Sequence, residues 1–483
     1  MKPAAYLDES AAAEDYSLHR VPDSARYSWW SVATQRFGQL SALSQFLLGV
    51  TLGLGMTFWR AVLAIALGSV LLEIVSIFVG IAGTREGLST SVLARWTGFG
   101  TKGSAIVGLT IAVSLIGWFG VQNAVFAGGL HSLLGGPSVA LWSLIGGLGV
   151  TVIVMFGFHG MAWVAYVTVP AFVALAAWAV GRQLASFSLQ DLIWSPPAGA
   201  PLSLAAGATL VAGGFIVGAV MTPDMTRYNR TAGDVVKQTL VGITVGEFFI
   251  GLIGVLLAHA LRTVDVVAIV TMTSGLWGTV ILTASVLKIN DWNLYSSTLG
   301  LVNAIDALVG RRVSRRRLTI VIGALGAVLS ATGLLHHFIE FLTILGIVIP
   351  PVAGIMIAEY YVVGTWRAEL ESSRVRGRLP PDAPEWVPAS LISWAGAGAT
   401  GYFLHVGIPA LNALVVAFAG HIALSKVRHL NSTMSSSRSD HHRQTAQPMI
   451  GPPCSRNARR RRRGRDGRGR SPEASGGGGQ PSP

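Results

Sequence analysis

The chain has 483 residues, a formal net charge of +13, a mean hydropathy of +0.55 and only 12% charged residues. A soluble protein of this length carries about twice that share of charged residues. The composition therefore excludes a soluble globular protein and predicts an all-α polytopic membrane protein, because many apolar runs approach the roughly 20 residues that cross a bilayer. The single cysteine, Cys454, excludes an internal disulfide.

Residues 1–40 are polar and are interpreted as a cytoplasmic N-terminal segment without a cleavable signal peptide. The segment ends in an amphipathic piece, in which Trp29 and Trp30 suit the membrane interface. Residues 41–425 are predicted to hold a transporter domain of twelve transmembrane helices. The predicted spans lie near residues 41–58, 61–82, 105–130, 137–157, 161–181, 203–221, 236–260, 274–296, 318–334, 338–362, 388–405 and 408–425.

Two glycine-rich stretches, Gly49–Gly55 in the first span and Gly213–Ala219 in the sixth, are predicted to break their helices. Breaks in corresponding positions of two halves are typical of secondary transporters, where the freed backbone groups line a binding site. The alternative is that these glycines only let helices pack closely. The pairing favours inverted repeats at about 41–181 and 203–362, followed by two further helices at about 388–425.

Lysine and arginine residues are concentrated in alternate loops, most densely at Arg311–Arg317. The positive-inside rule places these loops in the cytoplasm, and an even number of spans then places both termini there. Residues 430–483 are rich in Ser, Arg, Gly and Pro, and are predicted to be a disordered basic tail. A passive tail is favoured over one that binds RNA or acidic lipid, so no specific nucleic-acid partner is expected.

The third span combines a flat aromatic side chain with an amide. Trp118 and Gln122 are four residues apart and share one helix face. Stacking on Trp118 together with hydrogen bonds from Gln122 would hold a planar heterocycle, and Phe215 in the second glycine stretch offers the opposite face of a sandwich. The alternative is that Trp118 and Gln122 only join neighbouring helices.

The eighth span contains the most polar stretch of any span. A charged side chain near the bilayer centre costs about 2.5–3.5 kcal/mol, which makes Lys288 a functional candidate. Asp291 follows three residues later, so a structural ion pair is the alternative. Asp224 and Arg227, beyond the second glycine stretch, are candidates for a gating latch or a helix cap. The chain contains no hydrolase or Walker motif and no convincing metal-ligand set, so we expect neither an enzyme nor a cofactor or metal.

At these residues the sequence resembles the purine–cytosine permease branch of the nucleobase–cation symporter family. The resemblance implies a leucine-transporter-type fold of twelve helices, with a 5+5 inverted repeat and broken helices 1 and 6. It also implies uptake of nucleobases or related heterocycles, commonly coupled to sodium or protons. The matching pieces are Gly87-Leu88-Ser89-Thr90 with Leu93-Ala94-Arg95, Ile116-Gly117-Trp118-Phe119-Gly120-Val121, Thr222-Pro223-Asp224 with Arg227, Asn290-Asp291 with Leu294-Tyr295, and Ile349-Pro350-Pro351-Val352.

The resemblance further implies a set of site residues. A base would stack between two aromatic side chains, with one backbone contact and several amides at its edge. The substrate-binding residues implied in this way are Trp118, Gln122, Gly214, Phe215, Asn290 and Asn293.

A cation site would draw on backbone carbonyls around Gly49 and Gly53 and on Ser285 of the eighth span. Lys288 stands where sodium-coupled relatives place a hydroxyl residue. A lysine side chain has no acceptor for a cation, so its ammonium is predicted to stand in for sodium.

Together these features predict a secondary transporter that imports cytosine or a purine-like heterocycle across the cell inner membrane, either proton-coupled or independent of sodium. The expected partners are this small molecule and the lipid bilayer. One alternative is a carrier for allantoin- or hydantoin-type heterocycles. Another is a receptor or scaffold in the membrane that binds without transport.

Overall fold

The computed structural model describes residues 15–40, 43–263, 266–332, 344–404 and 406–445. No strand occurs among these residues, which agrees with the predicted all-α class. The helices of the first half are α1 Trp29–Leu40, α2 Leu43–Gly55, α3 Phe58–Glu86, α4 Thr90–Leu93, α5 Gly100–Leu134, α6 Val139–Met155, α7 Gly157–Leu184 and α8 Leu189–Trp194.

The second half continues the helical architecture. Two π-helical turns, Leu240–Val245 and Ala358–Val363, adjoin its helices, and a third, Arg95–Phe99, precedes α5 in the first half. The remaining helices are α9 Leu204–Val220, α10 Pro223–Thr226, α11 Ala232–Thr239, α12 Gly246–Leu261, α13 Val266–Val309, α14 Arg315–Ala331, α15 Pro350–Ile357, α16 Arg367–Val375, α17 Pro388–Phe403 and α18 Pro409–Thr445.

Among the described residues, five helices are long and apolar enough to cross a membrane, and the number rises to seven if each of two bent pairs forms one span. The predicted count of twelve spans is therefore not confirmed. The five are Phe58–Glu86, Arg95–Ser132, Ala232–Leu261, Ile344–Val363 and Pro409–Val427, and the bent pairs are Trp29–Leu40 with Gln45–Gly55 and Val139–Met155 with Gly157–Ala171.

Helix contacts follow the symmetry of a repeat. The most extensive helix pairs are α5 with α13, α2 with α12, α3 with α9, and α6 with α14. Suppose that equivalent helices of the two halves are exchanged, α2 with α9, α3 with α12, α5 with α13 and α6 with α14. The pair of α2 and α12 then becomes the pair of α9 and α3. The pair of α5 and α13 and the pair of α6 and α14 are unchanged. This pattern is what two structurally equivalent halves produce.

Small residues allow the close helix approaches in this bundle. A methyl group built on Gly108 of α5 would lie 2.6 Å from the carbonyl oxygen of Gly300 on α13. A methyl group on Gly53 of α2 would lie 2.7 Å from the carbonyl oxygen of Val255 on α12. Side chains larger than hydrogen would separate these helices, as is usual for tightly packed membrane helices.

The predicted positions of the two helix breaks are wrong. Gly49–Gly55 is helical within α2, and the first bent span instead turns by 53° between Trp29–Leu40 and Gln45–Gly55. If this bent pair forms one span, the span begins at Trp29, within residues 1–40. Gly49 and Gly53 face the backbone of α12, so the alternative of close packing accounts for them.

The second glycine stretch is also helical, because α9 runs without interruption from Leu204 to Val220. Its helix ends just before Pro223, whose ring would clash with the carbonyl four residues earlier and which has no N–H to donate. Pro223 then starts the short helix α10, a position that proline favours.

The described chain ends in a long helix. The structure continues α18 to Thr445, residues 446–483 lie outside the described part, and the disordered tail stays a prediction. The chain up to residue 428 forms one compact unit, and the site described below lies within it.

Candidate functional site

A small cavity lies where α1, α2, α5, α9 and α13 meet. Its volume is about 30 Å³, which is room for ordered water and not for an organic ring. The lining residues are Gln39, Gln45, Leu115, Trp118, Gln122, Gly214, Phe215, Val217, Gly218, Met221, Ile289, Trp292 and Asn293.

Five of the six predicted substrate-binding residues line this cavity. Trp118 and Gln122 come from α5, Gly214 and Phe215 from α9, and Asn293 from α13. Both aromatic rings are buried, as are the two amides. The residues predicted from the sequence therefore lie on three separate helices around one cavity.

Asn290 is the sixth predicted residue, and it lies behind the cavity wall. Its side-chain nitrogen donates to the carbonyl oxygen of Phe119 at 3.3 Å, and its oxygen accepts a bond from Asn293 Nδ2 at 3.0 Å. Asn290 thus holds the amide of Asn293 and ties α13 to α5. Asn290 therefore positions Asn293 and does not itself line the cavity.

Sequence reasoning missed Gln39, which lies on α1 before the first predicted span, and Gln45 at the start of α2. Gln45 Nε2 lies 3.4 Å from the carbonyl oxygen of Gly214. Gln39 Nε2 and Trp292 Nε1 are buried on the cavity wall and have no hydrogen-bond partner among the described residues. A buried polar group without a partner costs about 1–3 kcal/mol, so these two N–H groups favour a ligand or water that accepts hydrogen bonds.

Arg36 of α1 was also missed, and it contacts the cavity wall from behind. Its side chain is fully buried and donates to the Gly218 carbonyl oxygen at 3.1 Å and to Thr222 Oγ1 at 2.6 Å. The guanidinium also lies 5.1 Å from the centre of the Phe215 ring, within the range of a cation–π contact. Arg36 therefore fixes the aromatic wall contributed by α9.

Lys288 and Asp291 form a buried ion pair on α13. Lys288 Nζ lies 2.7 Å and 3.0 Å from the two carboxylate oxygens, and the two side chains are only 2% and 0% exposed. The ion pair with Asp291, which was the structural alternative to a functional role for Lys288, is therefore present in the molecule. The lysine stem also packs on α1, where a methyl group built on Gly38 would lie 3.0 Å from Lys288 Cγ.

Two other members of the predicted cation site, Gly49 and Gly53, do not join this pair. Gly49 and Gly53 face α12, as described above. Ser285 belongs to α13, but its side chain lies outside the described part. Around Lys288 the structure places Asp291 and the backbone of α1 at Gly38.

Asp224 and Arg227 tie together elements at one end of the bundle. Asp224 Oδ1 accepts a 2.7 Å bond from the backbone N–H of Thr90, so it joins α10 to the start of α4. Burial raises the pKa of Asp224, whereas the Thr90 bond and the charge of Arg227 oppose that rise. Both candidate roles, cap and latch, are compatible with these contacts.

Arg227 also holds the N-terminal segment against the bundle. It donates to the carbonyl oxygens of Tyr16 and Asp15 at 3.0 Å and 3.2 Å, and to Tyr295 Oη at 2.7 Å. The Asp15 carboxylate accepts from Tyr228 Oη at 2.8 Å and from Tyr295 Oη. Asp15 therefore bridges α13 and the segment after α10, and it closes this end of the bundle.

Comparisons with known proteins agree with this architecture. Residues 20–379 match the family model described as a permease for cytosine/purines, uracil, thiamine and allantoin. The cytosine permease of Escherichia coli K12 is 29% identical over 421 residues, which are 87% of this chain and 96% of the relative. The purine-uracil permease of Arabidopsis thaliana is 26% identical over 117 residues, 24% of this chain and 19% of its own length.

Solved structures confirm the fold class. Mhp1, a nucleobase-cation-symport-1 family transporter in a closed conformation with bromovinylhydantoin bound, has a TM-score of 0.73 at 20% identity, covering 86% of this chain and 95% of its own. The inward-facing conformation of Mhp1 has a TM-score of 0.69 at 20% identity, with 86% and 93% coverage. A Na⁺-coupled sialic acid symporter in an outward-open state has a TM-score of 0.62 at 12% identity, with 88% and 96% coverage. The predicted leucine-transporter-type fold is thereby confirmed.

Proposed function

Since the chain belongs to the family of permeases for cytosine/purines, uracil, thiamine and allantoin, we propose that it imports cytosine or a purine-like base across the inner membrane by alternating access, without sodium. As a member of that family it is an integral membrane transporter for nucleobase-like heterocycles and not an enzyme. What we propose beyond this is the identity of the base, the coupling ion, the location in the inner membrane and the cytoplasmic position of both termini.

The cavity lining carries the proposal. Trp118 and Phe215 offer aromatic faces, while Gln122, Asn293 and Gln39 offer amides around them. A pyrimidine or purine needs this combination, because its faces stack and its edge carries both donors and acceptors. The unpartnered N–H groups of Gln39 and Trp292 match the ring nitrogens and carbonyl oxygens of a base, which accept hydrogen bonds.

The small size of the cavity supports a cycle in which the site opens to admit substrate. At about 30 Å³ it holds water at most, so a six-membered ring enters only after the helices or side chains around it move apart. Alternating access supplies such a movement of one repeat against the other.

The buried ion pair supports transport without sodium. An ammonium group has no lone pair to coordinate a metal ion and repels it by its charge. Lys288 Nζ also forms an ion pair with the carboxylate of Asp291, which is then not free to bind a cation. We therefore assign the Lys288 ammonium as a fixed replacement for the sodium ion of sodium-coupled carriers, with Asp291 as its counter-charge.

The test is uptake of radiolabelled cytosine by proteoliposomes, with and without a sodium gradient. Competitors are adenine, hypoxanthine, uracil, allantoin and hydantoin. Trp118→Ala removes one stacking face, which is worth about 1–3 kcal/mol per base and so lowers affinity by about 5- to 150-fold. Trp194→Ala is the matched control, because Trp194 is 72% exposed, and it should transport like the wild type.

Each outcome is informative. Saturable, sodium-independent uptake that is lost in Trp118→Ala supports the proposal as stated. Competition by allantoin or hydantoin alone moves the substrate to the second class of heterocycle. Binding of a base without flux would indicate a receptor, and a steep sodium requirement would refute the role of Lys288.

A further inference from the structure

Two acidic side chains lie near the middle of membrane-spanning helices, away from the cavity. Glu73 lies near the centre of Phe58–Glu86, and Glu247 near the centre of Ala232–Leu261. Glu247 is only 3% exposed. Carboxyl groups at this depth are costly and commonly mark ion pathways or proton relays, so their presence calls for a reason.

The hydrogen bonding of Glu247 leaves one of its oxygens unused. Its Oε2 accepts a bond from Ser69 of α3, whereas its Oε1 is buried and has no partner among the described residues. Glu73, one turn beyond Ser69 on α3, also has a buried oxygen, Oε1, without a partner. Neither glutamate forms an ion pair within the part of the chain that the structure describes.

A buried carboxylate without a cation in contact is far less stable than the neutral acid. The charged groups that act on Glu247 are Glu73 and Arg36, and neither forms an ion pair with it among the described residues. Arg36 forms no ion pair with Glu247 among the described residues and instead donates to neutral groups, namely Ser76 on α3, the Gly218 carbonyl on α9 and Thr222 just after α9. This arrangement is the one expected when Glu247 carries a proton.

The remaining elements packed on α12 add no competing charge near Glu247. Helix α2 and the turn Leu240–Val245 have no ionisable side chain. Charged or titratable residues occur elsewhere on the other contacting elements and at the far end of α12. They are His159, Tyr166 and Arg182 on α7, Asp191 on α8, Arg60, Arg85 and Glu86 near the ends of α3, and His259 in the last turn of α12.

Arg36 links this carboxyl group to the substrate cavity. Its guanidinium sits over the Phe215 ring and donates to the carbonyl oxygen of Gly218, and both residues line the cavity. An ionised Glu247 would draw the guanidinium toward α12 and away from these contacts. A protonated Glu247 leaves Arg36 on the wall of the cavity, as observed.

We propose that Glu247 is a proton-binding site of the transport cycle, linked through Arg36 to the Phe215 wall of the substrate cavity. The coupling step rests on the proposed function, whereas the proton site itself does not. The protonated form holds the closed wall and binds substrate more tightly. By reciprocity, substrate binding draws a proton onto Glu247.

The first arm of the test reads the carboxyl group directly. Infrared spectra of the purified protein in liposomes are recorded from mildly acidic to mildly alkaline pH. The wild type should show a carboxylic-acid carbonyl band that disappears as pH rises and is absent in Glu247→Gln. Glu369→Gln, at an exposed position on α16, is the matched control and should keep the band.

The second arm reads the coupling. Over the same pH interval the wild-type affinity for cytosine should fall by about tenfold, within the usual range of coupling between two sites. Glu247→Gln should bind with the acidic-pH affinity throughout. It should still exchange internal for external cytosine, but it should not accumulate cytosine in response to a proton gradient.

The outcomes separate the two proposals. A titrating band that persists in Glu247→Gln overturns the proton site. A band lost in that variant, with no heterocycle transport by the wild type, overturns the proposed function and leaves the proton site in place. Unchanged pH dependence of cytosine affinity in Glu247→Gln, or an affinity that follows sodium and not pH, overturns the coupling. If Glu247→Gln does not fold, Ser69→Ala keeps the carboxyl and should move the pH midpoint of the band; an unmoved midpoint overturns the assignment.

Discussion

Replacing Asp291 by Asn would leave the Lys288 ammonium buried without its counter-charge. Lys288 is 2% exposed and its Nζ lies 2.7 Å and 3.0 Å from the two oxygens of Asp291, so the variant loses both charge-assisted contacts at once. Breaking a buried pair by removing one partner costs about 3–5 kcal/mol, because the remaining charge is not compensated. Replacing both partners by neutral groups of similar size costs little or nothing.

We therefore expect Asp291→Asn to melt well below the wild type, and Lys288→Met combined with Asp291→Asn to recover most of the loss. The assay is thermal unfolding of each purified variant in the same detergent, with Lys288→Met alone completing the cycle. Cytosine uptake by the stable double variant then separates the two roles of the pair. Equal melting temperatures for Asp291→Asn and the double variant would refute a coupled ion pair. Full sodium-independent uptake by the double variant would refute the replacement of sodium by lysine.

Two further predictions test packing and closure. Gly53→Ala should destabilise the protein by about 1–3 kcal/mol in the same melting assay, because its methyl group would lie 2.7 Å from a carbonyl oxygen on α12. Gly213→Ala is its control and should be neutral or slightly stabilising, since no atom lies within 4 Å of the added methyl group and the position is helical. Asp15→Ala should weaken the closed end of the bundle by about 1–3 kcal/mol through lost hydrogen bonds. In a Cys454→Ser background, a cysteine introduced at buried Ser297 should then label faster, and an unchanged labelling rate would contradict a closing role for Asp15.

Local sequence patterns were sufficient for the part of the site that lies on regular helices. Trp118 and Gln122 share a face because they are four residues apart, and this holds wherever the helix sits in the bundle. The cavity brings them close to Phe215, which was proposed from its place in the second glycine stretch, and to Asn293, which came from the family resemblance. Asn290 shows the limit of assigning site residues from a family resemblance. Its amide lies three residues before Asn293 on the same helix, and it supports Asn293 from behind instead of lining the cavity.

The errors share one physical cause. Glycine lowers helix propensity and also permits close helix packing, so Gly49 and Gly53 give the same sequence signal whether the helix breaks or packs. Assigning them to a break drew attention to residues 49–55 and away from α1, so that Arg36 and Gln39 were not considered. Once α1 is placed in the bundle, a fully buried arginine there requires partners, and its partners are the wall of the cavity.

Helix α1 is the element through which both ionic arrangements reach the substrate cavity. Gly38 packs on the stem of Lys288, Gln39 lines the cavity, and Arg36 holds the Phe215 wall on the side of Glu247. These three residues lie within one helical turn, so a displacement of α1 alters all three contacts together. We therefore expect a change of charge at either Asp291 or Glu247 to alter the contacts of the same aromatic wall. Helix α1 and Gln45–Gly55 of α2 meet at an angle of 53°, so the bend lies on the C-terminal side of these three residues.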